Sequence, residues 1–144
     1  MTTLDEKDFT SVMNNFLHSL LSQCTVSLNG TRITQATELY NYRSLLETLL
    51  TFGSDAATTH LMNAMWFMDD GNMVACDPSS DEASNNKWFV TRWSLTKKSQ
   101  ELELYGRVHS NFCNVPVYVL PGVRVQIKFA KVRTGFYLVN KDAE

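Results

Sequence analysis

Between residues 9 and 21 the apolar positions are Phe9, Val12, Met13, Phe16, Leu17, Leu20 and Leu21. Offsets of three and four put them on one face, which predicts a helix with Asp8 as its N-cap. Two alternating runs follow, 24–28 and 31–34, with Asn29-Gly30 between them. A type I′ turn needs two residues at positive φ, so Asn-Gly between such runs predicts a hairpin. Asn29-Gly30-Thr31 also spells a glycosylation sequon, a reading that a tight turn argues against. Residues 38–52 predict a second helix, with Thr37 as cap and Gly53 as stop. Its buried stripe is expected to be Leu39, Tyr42, Leu46 and Leu49, joined by Leu45 and Leu50. A third helix is expected over 55–67, capped by Ser54, with Ala57, Leu61, Ala64, Met65 and Trp66 inward.

Residues 77–86 are polar, charged or Pro except for Ala83. This is the clearest loop in the chain. From 87 onward the period reads as two. Trp88, Val90 and Arg92 share one parity, and Phe89, Thr91 and Trp93 the other. Leu102, Leu104 and Val108 alternate with Glu103 and Tyr105, and Gly106 marks a bulge or a close approach. Residues 117–120 predict a short strand, followed by a Pro121-Gly122 turn. Val123, Val125, Ile127 and Phe129 then alternate with Arg124, Gln126 and Lys128, the cleanest half-buried strand. Residues 136–139 predict the last one. A helix–hairpin–helix–helix part followed by antiparallel strands reads as α+β and β-rich. One domain is expected over 1–144, divided into 8–76, the 77–86 loop and 87–139.

Composition narrows the class without naming a function. The chain has 144 residues, 44% of them hydrophobic and 19% charged, which excludes a disordered tail. Its apolar runs are too short for a membrane helix, and the polar, acidic start is not expected to be a secretory leader. Cys24, Cys76 and Cys113 are odd in number and lack CxxC spacing, which favours a reducing compartment over a disulfide framework. Net charge is −2 but unevenly split. Residues 1–86 hold three basic residues against eleven acidic, a balance of −8, and residues 87–144 hold ten against four, a balance of +6. Arg124, Lys128 and Arg133 on the second half raise the possibility of a nucleic-acid face. Because Arg124, Lys128, Lys131 and Arg133 lie among apolar positions, the solvated side of a strand accounts for them more simply. Head-to-tail packing of acidic and basic halves is a third option.

Candidate chemistry is sparse. His18, His60 and His109 form no HxH or HExxH pattern, so no metal site and no cofactor are expected. His109 and Cys113 are four apart, a spacing that pairs side chains on a helix but not on the strand and loop expected here. Cys24 and His18 meet only if the tertiary fold brings them together. Asp69-Asp70-Gly71 lacks the spaced acids of a calcium loop. Glu101 and Glu103 read as solvated charges on one strand face. Trp88 and Trp93 read as packing residues on opposite faces. No catalytic residue is assigned, and no enzyme is expected.

Four ordered phrases carry a resemblance. They begin Asn15-Phe16-Leu17-His18, Leu39-Tyr40-Asn41-Tyr42, Leu104-Tyr105-Gly106-Arg107-Val108-His109-Ser110 and Leu120-Pro121-Gly122-Val123-Arg124, within residues 13–139. Together they resemble the double jelly-roll major capsid proteins of Maverick/Polinton-type transposon-viruses and their adintovirus relatives. The resemblance implies an incomplete viral-type jelly-roll sandwich, with N-terminal helices around the Asn-Gly hairpin. Only the first jelly roll is matched, so the chain is expected to be a fragment, a decayed copy or a host-retained piece.

The resemblance also implies a structural virion-type protein that self-associates into capsomers, with a homo-trimer as the family's unit. Its place would be a virion or the cell interior rather than the secreted space. Expected core residues are Val26, Leu28, Leu46, Leu49, Leu104, Val125, Ile127 and Phe129. The alternative is a β-sandwich module binding a glycan or peptide through the 77–86 loop or Trp88.

Overall fold

A computed structural model of the chain describes residues 10–35, 37–70 and 86–140. Residues 77–85 of the expected 77–86 loop and the start of the first predicted helix, with Asp8 and Phe9, lie outside the described residues. The chain is mixed helix and strand, 39% helical and 19% strand, with small antiparallel sheets. Helix therefore outweighs strand, which corrects the β-rich expectation.

The sheets are β1 (Thr10–Val12) with β5 (Leu138–Asn140), and β2 (Leu21–Leu28) flanked by β3 (Thr31–Arg32) and β4 (Val125–Lys131). The Asn-Gly hairpin forms as predicted. Asn29 has φ 50° and Gly30 φ 85°, and Leu28 pairs Thr31 across the turn. β4 returns from the far end of the chain to pair antiparallel with β2, from Leu28↔Val125 to Leu21↔Lys131, with an irregularity between Leu21 and Gln23.

The first predicted helix shrinks to one turn, α1 (Phe16–Ser19). Two causes compete with helical spacing here. Thr10–Val12 is taken by β5, and buried Asn15 adopts a left-handed φ of 56° that breaks a helix at its midpoint. The second helix appears as α2 (Tyr40–Thr51). The third splits into α3 (Ser54–Ala57) and a 3-10 turn, His60–Ala64, ended by Met65 at φ 58°. Ala64, Met65 and Trp66 are buried as expected.

Residues 87–96 are the largest correction. They form a helix, α4 (Lys87–Thr96), not a strand. The aromatic and β-branched content of this stretch favours a strand, but tertiary context overrides propensity. The Asn86 side chain caps it, accepting from the Phe89 amide at 3.1 Å, and the turns deliver Trp88, Arg92 and Leu95 to one core. Segments 102–108 and 117–120 are not strands either, and a short helix, α5 (Asn111–Asn114), lies between them.

The core sits where β1, β5 and α4 meet. Val12, Met65 and Phe67 are buried, with Phe16, Trp88, Leu95, Leu104 and Leu138 packed against them. Trp88 stacks on Phe67 at 5.5 Å. Arg92 is 2% exposed and clips three segments together. Its Nε donates to the Val12 carbonyl at 3.0 Å, one terminal nitrogen donates to the Phe67 carbonyl, and the other meets Asp69 at 2.5 Å. Asp69 also accepts from Asn86, so it serves the core rather than a calcium loop.

The expected core residues divide. Val26 is fully buried, and Leu28 and Leu104 are half-buried. Leu46, Leu49, Val125, Ile127 and Phe129 are instead exposed. Among the described residues, no helix is long and apolar enough to cross a membrane.

Candidate functional site

α2 is amphipathic as the sequence requires, but it faces the wrong way round. Its buried side is polar: Tyr40, Asn41, Ser44 and Thr48. Ser44 Oγ donates to the Asn41 carbonyl at 2.7 Å, and Thr48 Oγ1 to the Ser44 carbonyl at 2.8 Å. These internal bonds make a polar face cheap to bury, since each hydroxyl keeps a partner.

Beneath that face, Tyr40 joins two imidazoles. Its hydroxyl accepts the backbone N–H of His109 at 3.3 Å and lies 3.2 Å from His18 Nδ1. The assignment that uses every group once has the hydroxyl donating to His18 Nδ1, leaving His18 protonated on Nε2. The His18 and His109 rings meet edge to face at 4.6 Å. His109 Nδ1 lies 2.8 Å from Glu47, whose other oxygen holds Arg43 at 2.7 Å. Arg43 in turn donates to Asn111 at 2.6 Å. Gly106 lets the backbone approach closely: a Cβ would sit 2.6 Å from Leu17 Cδ2 and 3.2 Å from His18 Nε2, so a larger residue would push the Leu17 side chain aside and press on the imidazole.

The electrostatics follow burial. Burial, then the neighbouring His109, pushes the His18 pKa down to about 4, so His18 is neutral at pH 7. Burial pushes Tyr40 up to about 12. Burial works to raise Glu47, but hydrogen bonds from His109 and Arg43 outweigh it and hold the carboxyl below its ordinary value.

Two recesses flank the network. A cavity of about 160 Å³ is lined by Asn15, His18, Thr48, His60, Arg107 and His109 among others. A groove of about 550 Å³ runs past Cys24, Tyr40, Arg43, His109 and Phe112.

A carboxylate-oriented imidazole is the skeleton of general base catalysis. The nucleophile is what fails. Cys24 borders the groove, but burial pushes its thiol up, away from the thiolate. No hydrogen bond joins Cys24 or Cys113 to an imidazole among the described residues, and these two cysteines are free. Cys76 lies outside the described residues. No three His, Cys, Asp or Glu side chains among the described residues are grouped to hold a metal. The network joins buried His18, Tyr40 and His109 to the partly exposed Glu47 and Arg43.

The sequence reading missed the meeting of His18, Tyr40, Glu47 and His109. One signal was present: Tyr40, Asn41, Ser44 and Thr48 form a polar stripe opposite the leucines. The other singled-out residues do not converge with it. Trp88 is engaged by Phe67, Glu101 and Glu103 are exposed on an irregular segment, and Arg124, Lys128 and Arg133 are exposed at or beside β4. Arg124 and Lys128 share the polar parity of the strand, about 13 Å apart along it.

The outward side of α2 is the more unusual surface. Leu39 is 57% exposed, Leu46 57% and Leu50 85%, with Tyr42 and Leu49 also out. Val125, Ile127 and Phe129 on β4 add a second exposed apolar area, and segment 115–120 a third. In the three comparisons with known proteins, no protein-family model, curated protein or solved structure matches this chain.

Proposed function

We propose that this chain is a non-enzymatic structural protein that self-associates, of the virion type implied by its resemblance to the first jelly roll of Maverick/Polinton-type capsid proteins. The observation that carries the reading is the inversion of α2. A helix that buries its polar face and turns Leu39, Leu46, Leu49 and Leu50 outward leaves its hydrophobic driving force unspent. Contiguous apolar patches beyond a few hundred Å² are uncommon on monomers and mark association surfaces. The antiparallel return of β4 to β2 across about 100 residues is compatible with an incomplete jelly roll, in which sheet neighbours are distant in sequence. A closed ring of copies, such as the family's trimer, follows from head-to-tail contacts that complete a rotation.

Light scattering on size-exclusion eluates across a concentration series tests this. The expected mass is a multiple of 16.4 kDa that grows toward a defined oligomer with concentration. A strictly monomeric mass at the highest concentration would remove the proposal.

A further inference from the structure

Resting on that reading, we infer that copies join by strand addition: segment 117–120 of one copy pairs with the open edge of β4 in a second copy. β4 is the outermost strand of its sheet, and its outer edge has no neighbour among the described residues. The groups it presents there can be named. Val26 turns its backbone toward β3, its carbonyl accepting from Ile33 at 2.9 Å and its N–H donating to Thr34 at 2.9 Å. Its partner across the ladder is Ile127. Val26 and Ile127 are therefore a non-hydrogen-bonded antiparallel pair, so Ile127 turns its own N–H and C=O to the open side. The ladder is regular from Cys24 to Leu28, so Val125 and Phe129 do the same. At the next pair the Asn29 amide donates to the Arg124 carbonyl at 2.9 Å, which fits that phase.

The donor lies a few residues upstream. Val117, Tyr118, Val119 and Leu120 are strong strand formers, yet they belong to no strand, and Tyr118 is fully exposed. Among the described residues, no backbone hydrogen bond reaches 117–119. Both parities of the segment are apolar, as in a strand meant to be covered on both faces.

The two halves do not close on each other within one chain, for a reason in the turn between them. The Val123 amide donates to the Leu120 carbonyl at 3.3 Å around Pro121-Gly122, with Gly122 at φ 87°. That is a type II turn, whose twist splays the flanking strands instead of pairing them. Among the described residues, each copy thus holds an unpaired β-prone arm and an unpaired apolar strand edge, and a second copy supplies both complements together.

Residue-resolved amide exchange, measured at low and high protein concentration beside the mass, tests the contact. In the free chain the Gln126 and Lys128 amides are held by β2, whereas Val125, Ile127 and Phe129 exchange freely. Association should slow the latter three and alternate amides of 117–120, those of one parity, by at least about tenfold, while Gln126 and Lys128 change little. The double variant V117D/V119D, placed on the exposed arm, should weaken association at least about tenfold with the fold intact. If the mass rises without protection at those amides, or the arm variant associates like the parent, strand addition is wrong and self-association stands. If the mass never rises, both readings fall.

Discussion

Two buried regions of this chain are built on opposite plans. Where β1, β5 and α4 meet, apolar side chains fill the interior and the guanidinium of Arg92 has a partner on each of its three nitrogens, two carbonyls and Asp69. Beneath α2 the interior is a hydrogen-bonded set of Tyr40, His18, His109, Ser44 and Thr48, and the leucines are outside. The first region gains its stability from area removed from water within the chain. The second buries hydrogen-bonded polar groups around Tyr40 and leaves the apolar face of α2 exposed. The contrast teaches that amphipathicity predicts a helix but not which face turns inward, because hydrogen-bonded polar groups can be buried at modest cost.

The largest effect is expected from breaking the first region at its charge. Arg92→Ala strands the Val12 and Phe67 carbonyls and leaves Asp69 without its cation. Removing one member of such a buried set costs about 3–5 kcal/mol. That is a large share of a small domain's whole stability, so the urea midpoint should collapse or the transition be lost. A midpoint within experimental scatter of the parent would show that the clip is dispensable.

The next effect is confined to the second region and is controlled by pH. His18 titrates at about 4 in the folded chain against 6.5 in the unfolded one. Above pH 6.5 it is neutral in both states and its contribution is fully present. As pH falls from 6.5 toward 4 the unfolded chain takes up a proton that the folded chain refuses, and roughly 3 kcal/mol of stability is lost. Below about 4 the loss levels off. Glu47 acts further down, since its depressed pKa favours the folded state above its ordinary 4.5 and that contribution fades as pH drops below it. Urea titrations from pH 8 to 4 should therefore show a decline that a His18→Asn variant flattens above pH 4.5. An unchanged slope in the variant would assign the decline to other groups.

What the sequence revealed follows from how local each signal was. Asn29-Gly30, Pro121-Gly122, α2 and β4 rest on turn chemistry or clean periodicity, and all four appear where expected. Segments whose state depends on long-range partners are different. Thr10–Val12 reads as helix until Leu138–Asn140 arrives to pair with it. Trp88–Leu95 reads as strand because its residues prefer strands, and only the position of the core reveals why a helix wins. The His18–Tyr40–His109 network was illegible for the same reason: three residues spread over 90 positions of chain carry no motif, and only tertiary packing makes them neighbours.

The smallest effect on stability should be the most informative about association. Leu46 and Leu49 are already 57% and 43% exposed in the single chain, so replacing both with Lys gives up little burial. Exposed substitutions of this kind usually change stability by no more than about 0.5 kcal/mol each. The charged pair would, however, place two ammonium groups in the centre of the outward apolar face, where any partner surface would have to desolvate them. The expected L46K/L49K protein melts with the parent yet stays monomeric at concentrations where the parent has assembled. Loss of several kcal/mol would mean instead that the chain covers this face itself, and the two regions would then be built on one plan. Assembly as strong as the parent's would move the contact away from α2 and leave the β4 edge to carry it alone.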